Sequence, residues 1–142
     1  MSNITFRFIA NQADKGIIFT PAADSSNPMA PGNFAGWSSP SCRLTDSNAL
    51  ADLEEDGGHW VGTVHMLPDG VVNMTATYFP VRGAADNIQL AGPLMMGQSE
   101  SAIAVVGGGG KYARAQGQAR CVFAMSDKDT PIYRYEVSFS VG

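Results

Sequence analysis

The sequence predicts an all-β domain, either a β-sandwich or a closed antiparallel barrel, on three observations. Apolar residues alternate with polar ones in run after run, as in Asn3 to Ile9 and Val71 to Phe79, which is the period of a half-buried strand. Sixteen glycines and eight prolines, about 17% of the chain against a usual 12% or so, are spread along it as turn signals. About eight strand-like runs follow one another with such signals between them, and no convincing helical period appears. A chain of 142 residues that is 44% hydrophobic is long enough for one sizeable core, so residues 1–142 are expected to form a single domain.

The first strand is Asn3 to Ile9, with Ile4, Phe6 and Phe8 on one face and Thr5 and Arg7 on the other. Asp14 to Pro31 carries three prolines and a Ser-Ser-Asn cluster, which predicts a long loop with one short extended piece at Gly16 to Thr20. Strands are expected from Asn33 to Ser38 and from Ser41 to Asp46. The acidic run Asp52, Glu54, Glu55 and Asp56 then reads as a solvated turn. His59 to Leu67 and Val71 to Phe79 form a hairpin across Pro68-Asp69-Gly70, where proline sets φ and glycine supplies a positive φ. Ala102 to Val106 is a buried-type run ending in Gly107 to Gly110. Ala113 to Met125 and Ile132 to Val141 make a last pair across the turn Ser126 to Pro131.

Composition excludes several classes of function. Nine Lys plus Arg against thirteen Asp plus Glu, with no basic cluster, leave no footprint for nucleic acid. No run approaches the roughly 18 apolar residues of a membrane span, so a membrane partner is not expected. The N-terminal stretch has Arg7 within its apolar run and lacks the pattern of a secretory signal, which points to a cytoplasmic protein. Cys42 and Cys121, 79 positions apart, form neither a CxxC motif nor a disulfide framework. Charged residues are only 15% of the chain against about a quarter in most soluble domains, which suggests that much surface is either concealed between subunits or uncharged.

The segment Glu100 to Ala119 resembles the signature of the allene oxide cyclase barrel and dirigent superfamily. That pattern is an apolar strand, Gly-Gly-Thr-Gly, a basic residue, an aromatic and Ala-Arg-Gly; here Gly109 stands for the threonine and the tail is loosened to Ala115-Gln116-Gly117. The run Trp60 to Tyr78 is similar to the family's middle hairpin. The resemblance implies an all-β, eight-stranded antiparallel β-barrel with an interior ligand cavity, in a superfamily of oxylipin cyclases, dirigent proteins and bacterial polyketide cyclases, some of Diels-Alderase type. It also implies a homo-oligomer, dimer or trimer. The four glycines permit a tight turn, after which Tyr112 and Gly117 should start the next strand. A phosphate-binding loop is excluded because no Ser or Thr follows Lys111 and a strand, not a helix, comes next.

The acid, base and metal inventory is short. His59 and His65 lie on one strand face about 20 Å apart, too far to share a metal, and both are expected to face solvent. No Gly-x-Ser-x-Gly elbow exists. Abundant instead are inward-facing apolar, aromatic and sulfur-bearing side chains. Phe6, Phe8, Trp37, Val64, Met66, Met74, Ala76, Phe123, Met125 and Tyr133 are the expected substrate-binding wall, unless they simply fill the core. Tyr78, Tyr135 and the Trp60 indole are the catalytic candidates, as hydrogen-bond donors to a substrate carbonyl. Alternation places Arg120, Arg134 and Glu136 outside as cross-strand ion-pair partners. The Asp14 to Pro31 loop, with Met29 and then Trp37, suits either a cap over the barrel mouth or a static subunit contact. The expected function is a cofactor-independent, metal-free intramolecular cyclase acting on an apolar, linear polyene or polyketide-derived small molecule. The alternative is a non-catalytic, dirigent-like protein that steers an intermediate made by another enzyme.

Overall fold

A computed structural model describes residues 3–10, 18–20, 30–95 and 98–142. The strands are β1 (Asn3–Ala10), β2 (Ile18–Thr20), β3 (Phe34–Arg43), β4 (Glu55–Met66), β5 (Val71–Phe79), β6 (Asn87–Met95), β7 (Glu100–Gly109), β8 (Ala115–Met125) and β9 (Pro131–Val141). All pairings are antiparallel. Each strand from β3 to β9 pairs with the next, β9 pairs with β1, and β1 pairs with β3, which closes an eight-stranded barrel. The short β2 prolongs the line of β1 along β3: Ala10 lies opposite Ser41, and Thr20 opposite Phe34. Closure satisfies the ladder groups that an open sheet would leave at its edges.

The alternation read from the sequence becomes the inside and outside of this barrel. Phe8, Trp60, Met74, Ala76, Tyr78, Cys121, Tyr135, Val137 and Phe139 all belong to one buried interior cluster, and their chain neighbours point outward. A second, smaller cluster lies outside the wall, where Ile9, Cys42 and Ile132 are covered by Leu50 and Leu53. Arg134 holds that cover in place. Its guanidinium donates to the carbonyls of Thr45 at 2.9 Å and Ser47 at 2.8 Å, and to Asn48 Oδ1 at 2.7 Å. Cys42 and Cys121 therefore sit on opposite sides of the wall. Arg7 pairs with Glu136 at 2.8 Å and Arg120 with Glu100 at 3.6 Å on the outer surface, so the expected outward placement holds.

Several elements differ from the sequence reading. The two strands expected at Asn33 to Ser38 and Ser41 to Asp46 are one strand, β3, whose register shifts between Pro40 and Cys42; the bulge absorbs the proline without ending the strand. The acidic run is not simply a solvated turn, because Glu55 and Asp56 begin β4, four residues before the expected start at His59. Strand β6 was not expected at all. Gly92 and Pro93 are residue types common in turns, yet Ile88 and Leu90 alternate with Gln89 and are fully buried. The glycine run stays in β7 as far as Gly109, and only Gly110 has a positive φ, 62°. Tyr112 does not start β8 but lies in a single 3₁₀ turn, buried under the barrel end against Phe6 and Phe139. The hairpin turn at Pro68–Gly70 forms as expected, with positive φ at both Asp69 and Gly70.

Candidate functional site

Most of the expected wall converges inside the barrel. Phe8 stacks on Tyr78 with ring centroids 3.9 Å apart and lies 5.3 Å from the Tyr135 ring; Trp60 is 4.9 Å from Tyr135 and 6.0 Å from Trp37. The Trp37 indole fits because small residues face it. A β-carbon added to Gly62 would lie 2.6 Å from Trp37 Cζ2, and Ala76 is the next inward residue on β5. Trp37 is thus a buried wall residue rather than a cap. Of the loop proposed as a cap, residues 11–17 and 21–29, including Met29, lie outside the described residues.

Phe6, Val64 and Tyr133 are partly buried against the same cluster, and Phe123 lies 6.1 Å from Tyr133. Met66 is buried on the inner face of β4. Met125 does not line the interior. It is 52% exposed, because β8 ends there, opposite Pro131, beyond the rim of the barrel. His65 is exposed, as expected. His59 is half-buried, hydrogen-bonded to Ser38 at 2.7 Å, and held below its usual pKa by burial and the Arg82 charge.

The interior is more polar than the sequence reading allowed. Trp37 Nε1, Trp60 Nε1 and Ser39 Oγ are buried without a hydrogen-bond partner among the described residues. They form one group, since Ser39 lies opposite Trp60 across the β3–β4 ladder and Trp37 is the next inward residue on β3. Leaving such a group unsatisfied costs about 1–3 kcal/mol. Below them Ser41 donates to Asp56 Oδ1 at 2.6 Å, and the Gly58 amide donates to the same oxygen at 3.0 Å. The Tyr78 hydroxyl lies near Ser41 over Gly58, and burial pushes its phenol up to about 12. Tyr135 donates instead to Met74 Sδ at 3.5 Å and contacts Cys121; burial raises this phenol well above its usual value and pushes the Cys121 thiol up to about 11.

Ser39, Ser41 and Asp56 were missed because the sequence reading broke β3 at Pro40 and started β4 at His59. Extending the parity of Trp37 forward gives Ser39 and Ser41, and extending that of Trp60 backward gives Gly58 and Asp56. Rings of Phe8, Trp60, Tyr78 and Tyr135 meet in the barrel interior. The described hollows, of about 340, 280 and 230 Å³, lie along the outer surfaces and ends of β7, β8 and β9 and include neither tryptophan nor Tyr78. Val64, Leu94 and Tyr133, near the ends of β4 and β6 and the start of β9, are partly buried and pack against the cluster.

The architecture is a closed, all-antiparallel, eight-stranded barrel with an aromatic interior, and dirigent proteins share this fold. Two pterocarpan synthase dirigent proteins superimpose with TM-scores of 0.74 and 0.73 at 18% and 17% identity, over 99% of this chain and 89% and 97% of theirs. Pyocyanin demethylase shares the fold with a TM-score of 0.61 at 18% identity, over 98% of this chain and 100% of that one. No protein-family model matches the sequence, and no curated protein matches it by sequence. Among the described residues no helix is long and apolar enough to cross a membrane, and no cluster of His, Cys, Asp and Glu could hold a metal ion.

Proposed function

We propose that this protein holds a mostly apolar, oxygen-bearing small molecule in its barrel and folds it for intramolecular ring closure. The observation that carries this reading is the group of donors without a partner among the described residues, Trp37 Nε1, Trp60 Nε1 and Ser39 Oγ, buried together beside the aromatic cluster. Two indole N–H groups and a hydroxyl suit a carbonyl oxygen and stabilise charge that grows on it as the ring closes. The surrounding rings hold a linear polyene or polyketide-derived chain near its reactive geometry, an effect worth about 7–11 kcal/mol in the best cases. A [4+2] cycloaddition is one closure such a site promotes, since polarising the dienophile needs neither cofactor nor metal. The ligand enters past Val64, Leu94 and Tyr133 and displaces part of the aromatic packing. The dirigent-type fold supports a binding or steering role for the same interior.

The test is incubation of the purified protein with a small-molecule extract of its source cells, gel filtration, and native and denaturing mass spectrometry of the complex. A retained apolar ligand that becomes an isomer of equal mass, with retention reduced in Trp37→Phe and Trp60→Phe, supports the cyclase. Retention without isomerisation supports the second reading, a dirigent-type protein that steers an intermediate made elsewhere, which the fold likeness favours. Equal retention by wild type and both variants refutes the assigned site. The outer face of β5 to β7, charged only at Glu100 and otherwise carrying residues such as Thr75, Gln89, Ala91, Ala102 and Ala104, supports a homo-oligomer; a monomer in analytical ultracentrifugation refutes that part.

A further inference from the structure

Strands β7 and β8 separate before their ends. Their ladder runs from Glu100 and Val122 to Val105 and Gly117 and stops there, although β7 continues to Gly109 and β8 begins at Ala115. Val106 is the extra residue of a bulge, since Gln89 lies opposite Gly107 and Leu90 opposite Val105, and a bulge bends its strand and can end the pairing. Beyond it Gly107, Gly108 and Gly109 pair with β6 alone, while Ala115 and Gln116 pair with β9 alone. A hollow of about 340 Å³ opens on the outer surface where the two strands part, lined by Val106 and Gly107 on one side and by Ala113 to Gln116 on the other. The glycine run keeps it open: a carbon added at Gly107 would meet nothing nearer than Gln89 Oε1 at 3.8 Å.

Arg114 carries the one charged side chain in this lining, and no Asp or Glu lies there with it. It is exposed and has no ion pair or hydrogen bond among the described residues, Gly142 on the same rim included, whereas Arg7, Lys111 and Arg120 each face a carboxylate. Gln116 and Ser140 also line the hollow and lie directly opposite each other in the β8–β9 ladder, so a carboxamide and a hydroxyl stand side by side on the outer face. The hollow thus combines one unpaired positive charge, two further hydrogen-bond donors and short apolar sides.

We propose that this hollow binds a small organic carboxylate, with the carboxylate on Arg114 beside Gln116 and Ser140 and the hydrocarbon part against Val106, Ala113 and Ala115. A planar guanidinium pairs with both oxygens of a carboxylate, and such charge-assisted bonds are stronger than neutral ones. A single cation in the lining suits a monoanion rather than a phosphate dianion. The volume is that of a site for one small ligand. The hollow lies on the outer side of the wall from Trp37, Trp60 and Tyr135, so this site is independent of what occupies the barrel interior.

The test is a titration of the ¹⁵N-labelled protein with 3-phenylpropionate and, separately, with the uncharged 3-phenylpropanamide, followed by NMR of the Arg114 Nε–H and of the Gly107 and Gln116 amides. Phenylpropionate should shift these signals saturably and leave the Trp37 and Trp60 indole N–H signals unmoved. The amide should bind at least about tenfold more weakly, the ratio expected when charge-assisted bonds are lost. Arg114→Gln, at an exposed position without a described partner, should fold normally and weaken phenylpropionate by the same factor, and Arg114→Lys should keep part of the affinity. Absence of saturable shifts with phenylpropionate overturns the site. Equal binding of acid and amide overturns the carboxylate class, and unchanged affinity in Arg114→Gln overturns the role of Arg114. Shifts at the two indoles in place of Arg114 overturn the location and point to the barrel interior instead.

Discussion

Substituting Gly62 by alanine tests whether the barrel interior is built around Trp37. The added methyl group would lie 2.6 Å from Trp37 Cζ2, 2.7 Å from the Thr75 carbonyl oxygen and 2.8 Å from Ala76 Cβ. Non-bonded heavy atoms rest at about 3.5–4.0 Å, so each contact is short by roughly 1 Å. The Thr75 carbonyl belongs to the adjacent ladder strand and cannot rotate away, which leaves a shift of the β4–β5 ladder and of the indole. Over-packing of this kind costs about 1–3 kcal/mol, or roughly 3–10 °C in Tm for a domain of this size. Gly36→Ala is the control, because its added carbon would meet nothing nearer than 3.6 Å and should change stability by less than about 0.5 kcal/mol. Thermal unfolding followed by circular dichroism gives the difference, and Trp fluorescence reports displacement of the indole. Equal Tm values for the two variants, with unchanged fluorescence, would refute the placement of Trp37 over Gly62.

Met74, fully buried, should cost about 2–5 kcal/mol when changed to alanine, whereas Met125→Ala should cost little; similar urea midpoints for the two would contradict their assignment to inside and outside. Arg134→Ala removes charge-assisted bonds to Thr45, Ser47 and Asn48, and should lower stability by about 1.5–3 kcal/mol while speeding amide exchange in residues 44–53. Unchanged exchange there would show that the cover is held by other contacts. Alkaline pH should destabilise the fold. Burial raises Tyr78 from 10.0 to about 12 and Cys121 from 9.0 to about 11, so the unfolded chain releases these protons first. Their contribution is therefore full below about pH 9 and is lost as pH rises to about 12, and urea midpoints should fall across that window, less steeply in Tyr78→Phe. A flat profile would refute the burial of both groups.

Much of the site was legible one strand at a time. Period-two alternation assigned Phe8, Trp60, Met74, Ala76, Tyr78 and Tyr135 to one face each, and all six face the interior. The reading failed where a local signal opposed the strand. Pro40 and Gly92-Pro93 are turn residues by chemistry, and only the pairing of β3 with β4 and of β6 with β5 keeps them in the sheet. Asp56 was lost for a related reason: among acidic neighbours it reads as solvated, and nothing local shows that Ser41 will lie beside it.

The sequence by itself determined the all-β class, the hairpin at Pro68–Gly70 and the side of each strand that carries apolar residues, because these depend on spacing and turn chemistry within a few residues. Only the tertiary structure decided which strands are neighbours, that β1 closes on β3, and that Tyr78, Ser41 and Asp56 lie together around Gly58, three strands contributing one residue each. Those contacts link positions far apart in the chain, and their geometry comes from closure and register, which no short window of sequence contains.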